Sequence, residues 1–153
     1  DVSFCLSKAL SCPVGSVLCG TGDFIDRANK WRKMVGGGMR QAGVLAAAGL
    51  VALDSMIDRL ADDHANARRL AQGLANIDGL TVDPDSIHTN IVIFEVDPSL
   101  GPSAKLIGAL GAEDVKVSSP SPTAIRMVTH RHISSEDVEE TLSRTSKAVR
   151  ALR

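Results

Sequence analysis

Aromatic side chains are nearly missing from this chain, with no Tyr, one Trp and three Phe in 153 residues. Any core must therefore be built from Ala, Val, Leu and Ile. An excess of one charge is missing too: 17 basic residues stand against 18 acidic ones, a formal net charge of -1. That balance argues against a nucleic-acid partner held by charge. No apolar run approaches the about 20 residues that cross a bilayer; Ala42 to Leu53, apolar or glycine throughout, falls short of it. No C-x-x-C pair occurs, and Cys5, Cys12 and Cys19 are odd in number. The pattern disfavours a zinc site and a disulfide framework, and is expected of buried free thiols in a reducing compartment.

What is present begins with two short strand-like runs, Val2 to Leu6 and Val14 to Cys19, around a Ser/Pro/Gly connection. Ser7 to Pro13 is too short for a parallel crossover, so the pair is expected to be an antiparallel hairpin. Lys8 then leaves a strand end among small and apolar residues, where desolvation can lower an amine's pKa and make it a nucleophile toward a carbonyl. A solvated loop lysine is the alternative.

Beyond the hairpin, Thr21 can cap a helix with Asp23 in its first turn and Phe24, Ile25, Ala28, Trp31 and Val35 on a buried side. The helix stops at Gly36-Gly37-Gly38, either a place of special backbone geometry or a flexible linker. Ala42 to Leu53 reads as a helix buried on all sides or lying against a partner subunit. From Asp54 an amphipathic helix follows, continuous or broken once, with Met56, Ile57, Leu60, His64, Ala67, Ala71 and Leu74 on one face. Asp62 and Asp63 are expected to be solvated. A domain boundary is expected at residues 73 to 79. Beyond it Leu80 to Val82, Ile91 to Val96, Val115 to Val117 and Ala124 to Thr129 alternate with helices from Pro102 to Leu110 and from Ser135 to about Leu152. That is the pattern of a small α+β domain with helices on one face of an antiparallel or mixed sheet. Ser134 or Ser135 can cap the last helix. His130 and His132, two apart, would share a strand face but lack a third metal ligand. Arg126 in the apolar run Ala124 to Val128 is costly inside a strand unless it meets an anion; an edge position facing water is the alternative.

Three blocks carry a resemblance: Cys5-Leu6-Ser7-Lys8 with Cys12-Pro13-Val14-Gly15-Ser16, then Trp31 to Gly43, then Ile125-Arg126-Met127-Val128-Thr129-His130. In order and spacing the chain resembles the low-specificity L-threonine aldolases, pyridoxal phosphate enzymes of fold type I, whose residues upstream of the lysine motif it lacks. The resemblance implies an α/β fold: residues 1–73 as the end of a large mixed-sheet domain with a connecting helix, and 74–153 as a small α+β domain. It implies that Lys8 binds the cofactor covalently, that Arg40 and Lys33 reach the cofactor phosphate of a neighbouring subunit, and that Arg126 grips the substrate carboxylate. The implied reaction cleaves threonine or allo-threonine to glycine and an aldehyde, serving threonine catabolism and glycine formation, in a cytoplasmic homodimer or homotetramer. No metal, nucleic acid or membrane enters, and this stretch by itself lacks a complete site. A racemase or aminotransferase of the same fold, or a non-catalytic assembly fragment, are the alternatives. Ala9 departs from the glycine that commonly follows the lysine in this family.

Overall fold

The computed structural model describes residues 1–153. The chain forms two compact units, Asp1–Leu60 and Ala61–Arg153.

In the first unit, strands β1 (Val2–Cys5) and β2 (Ser16–Cys19) pair antiparallel with Cys5 opposite Ser16 and Val2 opposite Cys19. This is the expected hairpin. Helix α1 (Gly22–Met34) begins after Thr21, whose side chain makes no capping bond. It ends in a tight C-terminal cap: Gly36 takes a φ of 89°, the Gly36 N–H donates to the Lys33 carbonyl at 3.2 Å, and the Gly37 N–H donates to the Arg32 carbonyl at 2.7 Å. This double bond pattern closes a helix around a left-handed residue, a conformation that costs glycine nothing. A Cβ at Gly37 would lie 2.8 Å from the Arg32 Cγ, so the second glycine is set by crowding. The glycine run is thus a stop signal with special geometry, not a linker.

Helix α2 (Gly43–Ser55) buries only Gly49 and Ala52. The expectation of burial on all sides fails within this chain, since Val44, Leu50 and Val51 are each about two-thirds exposed or more. The same holds for α1, which buries no residue and leaves Trp31 62% and Val35 80% exposed. Their apolar character is that of surfaces made to be covered.

In the second unit, α3 (Leu60–Leu74) turns Ala67, Leu70, Ala71 and Leu74 into the core. The amphipathic pattern from Asp54 is broken between α2 and α3. By packing, α3 counts with residues 61–153, because its stripe meets that unit's sheet and helices. Asp63 differs from expectation: it is fully buried, whereas Asp62 and His64 are exposed.

Strands β3 (Leu80–Thr81), β4 (Ile91–Val96) and β5 (Ala124–Val128) form an antiparallel sheet in that order. Along β4, Val92, Phe94 and Val96 point to the core and Ile91, Ile93 and Glu95 away from it, the period-2 alternation of a sheet with one covered face. The expected strand at Val115 to Val117 does not form; only Ser118 bridges to Arg126. Helix α4 (Ser103–Ala112) follows Pro102, and α5 (Ser135–Ala151) starts with a capping box. There the Ser134 hydroxyl accepts from the Asp137 N–H and the Asp137 carboxylate accepts from the Ser134 N–H, satisfying two donors of the first turn.

At Gly73 the Leu142 side chain of α5 presses on the backbone of α3: a Cβ built there would lie 2.2 Å from the Leu142 Cδ1. Helix propensity favours alanine by about 1 kcal/mol, while forcing side chains apart costs about 1–3 kcal/mol. Gly73→Ala is expected to destabilise by about 1–2 kcal/mol in urea unfolding, and Leu142→Ala placed in the same chain should relieve part of the loss.

No helix is long and apolar enough to cross a membrane.

Candidate active site

Lys8 lies in the bend between β1 and β2, and the bend is tied down by its own backbone. The Leu6 N–H donates to the Gly15 carbonyl at 2.9 Å, the Cys12 N–H to the Leu6 carbonyl at 3.0 Å, and the Ser11 N–H to the Lys8 carbonyl at 2.8 Å. Leu6 and Cys12 are buried against Ala52 of α2, and the Cys12 thiol donates to the Ala48 carbonyl at 3.4 Å. Gly49 leaves room for Leu6, since a Cβ there would lie 3.2 Å from the leucine's Cδ1. The lysine therefore stands on an anchored loop with its own side chain exposed. The expected apolar surroundings are not supplied by residues 1–60: Lys8 is exposed, and so are Cys5 and Ser7 beside it. Ala9, in place of the family's glycine, causes no left-handed strain; the positive φ values of this bend fall on Ser11, at 61°, and Gly15, at 124°.

Buried thiols were expected at all three cysteines, but only Cys12 is buried, while Cys5 and Cys19 are exposed. Pairing explains Cys5: its register opposite Ser16 lets the Ser16 hydroxyl donate to its sulfur at 3.5 Å. That bond, with the Lys8 ammonium nearby, holds the Cys5 thiol below the usual thiol range. Strand alternation alone does not show this cluster, because it depends on register across the hairpin.

Lys33 in the last turn of α1 and Arg40 between the helices are exposed and pair with no acid. The N–H groups of Gly36 and Gly37, between these two residues, are spent in the α1 cap and are not open to a phosphate. What remains for an anion is the first turn of α2, which has no side-chain cap.

In the second unit Arg126 is the central residue of β5. Its N–H donates to the Ser118 carbonyl at 2.7 Å and its carbonyl accepts from the Ser118 N–H at 3.3 Å. On the other side it stands opposite Ile93. Both flanks of its backbone are occupied, so it is not an edge residue. Because its backbone groups go to Ser118, the Ile93 pairing is of the non-hydrogen-bonded kind, which brings side chains closest. Arg126 projects from the uncovered face, among Ile91, Ile93, Val128 and, one pair further along, Glu95, and its guanidinium makes no salt bridge. An arginine with unspent donors on an apolar face is a ready anion receptor.

The strand is held behind it. Thr129, buried, donates its hydroxyl to the Asp63 carbonyl at 2.7 Å, and its carbonyl accepts from the Asn90 side chain at 2.7 Å. His130 and His132 lie past the strand end in a turn, exposed, with rings edge to face at 5.7 Å. The His132 N–H donates to the His130 Nδ1 at 3.3 Å. No group of three or more His, Cys, Asp or Glu is arranged to hold a metal.

A family model, beta-eliminating lyase, matches residues 1–97. The chain belongs to the beta-eliminating lyase family. The matched stretch contains Lys8, Lys33 and Arg40. A probable low-specificity L-threonine aldolase of Arabidopsis thaliana is 45% identical over 145 residues, 94% of this chain and 41% of the relative. The low specificity L-threonine aldolase of Escherichia coli (strain K12) is 42% identical over 139 residues, 90% of this chain and 39% of the relative. Among solved structures, SPT with PLP aligns with a TM-score of 0.75 at 19% identity, over 98% of this chain and 39% of that one. At that identity the likeness is one of fold, and it is the fold class the sequence leads one to expect. The chain spans about two-fifths of the length of these relatives.

Proposed function

We propose that this chain is part of a pyridoxal phosphate-dependent lyase that cleaves threonine and related β-hydroxy-α-amino acids to glycine and an aldehyde. The observation that carries this reading is Arg126: a guanidinium in no salt bridge, fixed on a largely apolar sheet face and within the stretch shared with the threonine aldolases. An amino-acid carboxylate is the anion it fits, through two parallel charge-assisted hydrogen bonds.

The donor set suits the cofactor. Lys8 offers an exposed amine on an anchored bend, and Arg40, Lys33 and the uncapped start of α2 offer positive charge for a phosphate. Bound there, pyridoxal phosphate supplies the electron sink for the bond broken at the substrate α-carbon. Lys8 is the residue that would hold the cofactor through its aldehyde. Arg126 fixes the substrate so that its Cα–Cβ bond is the one aligned for cleavage, with Ile93 and Val128 keeping water from the sides of the pair. Arg40 and Lys33 meet the phosphate bound by a neighbouring subunit, in a homodimer or homotetramer of the cytoplasm. In this reading residues 1–73 end the large domain and 74–153 form the small one, and upstream residues complete the site.

The test is incubation of the full-length polypeptide, loaded with the cofactor, with L-threonine, reading acetaldehyde through a coupled dehydrogenase. Aldehyde and glycine in equal amounts are expected. Exchange of the alanine α-hydrogen without aldehyde release would instead identify a racemase or aminotransferase.

A further inference from the structure

A cavity of about 450 Å³ opens in the second unit, between α3, the end of β5, the first half of α5 and residues 114–117. Of the residues in the reading above, Val128 alone lines it. Along β5 successive side chains alternate, so Met127 lines this cavity from the core face while Arg126 projects from the other. Its floor is apolar, made by Leu70, Met127 and Val138.

The rim carries both signs of charge, and the groups already spent can be set aside. Glu140 is paired with Arg144 at 2.8 Å, and Asp137 is held in the capping box. Asp114 and Lys116 remain, a carboxylate and an ammonium on one short segment, both exposed and in no salt bridge, with Arg144 close enough to Asp114 to feel its charge and His130 and His132 elsewhere on the lining. A simple anion would face Asp114, and a simple cation would face Lys116. A zwitterion satisfies both, and an apolar tail covers the floor.

We propose that this cavity binds a free α-amino acid with an apolar side chain, its ammonium at Asp114 and its carboxylate at Lys116. The cavity is lined by residues of the second unit alone, and neither Lys8 nor Arg126 is among them.

The probe is L-leucine, measured by equilibrium dialysis against the full-length polypeptide carrying Arg126→Ala, so that uptake through the substrate-carboxylate site is weakened about a hundredfold and falls outside the concentrations used. One saturable site per chain is expected. Leucinamide, which lacks the carboxylate, and 4-methylpentanoate, which lacks the ammonium, should each bind about tenfold more weakly, as loss of one charged hydrogen bond implies. Asp114→Asn should weaken leucine about tenfold and leave 4-methylpentanoate unchanged. Lys116→Gln should weaken leucine by a like factor and leave leucinamide unchanged. Both positions are exposed, so these variants should keep the fold. Lack of saturable uptake, equal binding of a one-charge analogue, or indifference to both substitutions overturns the proposal. None of those results touches threonine cleavage by the unsubstituted protein, which tests the other reading on its own.

Discussion

Lys8→Ala, made in the full-length polypeptide, is expected to remove the visible absorption of lysine-bound cofactor and to lower threonine cleavage by about a thousandfold or more, roughly 4 kcal/mol of transition-state stabilisation. The bend should survive. Its hydrogen bonds run through the backbone of Leu6, Lys8, Ser11, Cys12 and Gly15, and its anchor is the packing of Leu6 and Cys12 on α2. None of these needs the lysine side chain. Circular dichroism and the unfolding midpoint should therefore match the parent, and cofactor should be retained only by non-covalent contacts. Lys8→Arg is the sharper control: it keeps the charge beside Cys5 but offers no amine able to bind an aldehyde covalently, so it should behave as the alanine variant in the visible spectrum. A variant that kept the absorption band would move the covalent link to another lysine and remove the basis for the proposed chemistry.

Local pattern makes much of this legible in the sequence. The hairpin follows from connection length alone, since seven residues cannot carry a crossover. The alternation in Ile91 to Val96 gives both strand and facing, and Ser134 followed by Asp137 gives the start of α5. The misreadings share a cause, which is that pattern reports a preference for burial and not what satisfies it. Trp31, Val35 and most of α2 have the stripe or composition of buried residues, yet nothing in residues 1–60 covers them. Asp63 fails in the opposite sense. An acid in the first turn of a helix is ordinarily wet, but here Thr129 and Asn90 draw the end of β5 against it and close off water. Val115 to Val117 has strand composition, but the ladder beside β5 is reduced to a bridge at Ser118. Cross-strand register, which places Ser16 against Cys5 and Ile93 against Arg126, is a property of the pairing and is not written in either segment.

Arg126 carries the second large effect. Arg126→Ala is expected to raise the KM for threonine about a hundredfold, near 2.7 kcal/mol, because a bidentate charge-assisted pair is lost from a largely apolar surface. The visible spectrum should not change, since Lys8 remains. Arg126→Lys should recover only part of the loss: an ammonium keeps the charge but presents no planar fork to a carboxylate. The fold should tolerate both, because the strand is held through the Arg126 backbone to Ser118 and through Thr129 to Asp63, not through the guanidinium. Ile93 gives an independent check from the facing strand. Ile93→Asp sets a carboxylate at the closest cross-strand position, where it competes with substrate for the same guanidinium. Its KM should rise in the same direction, and combining it with Arg126→Ala should add little, as expected of two changes that act on one interaction. Full additivity of the pair would mean that Ile93 and Arg126 act on threonine separately, and an unchanged KM in Arg126→Ala would remove the arginine from the substrate site.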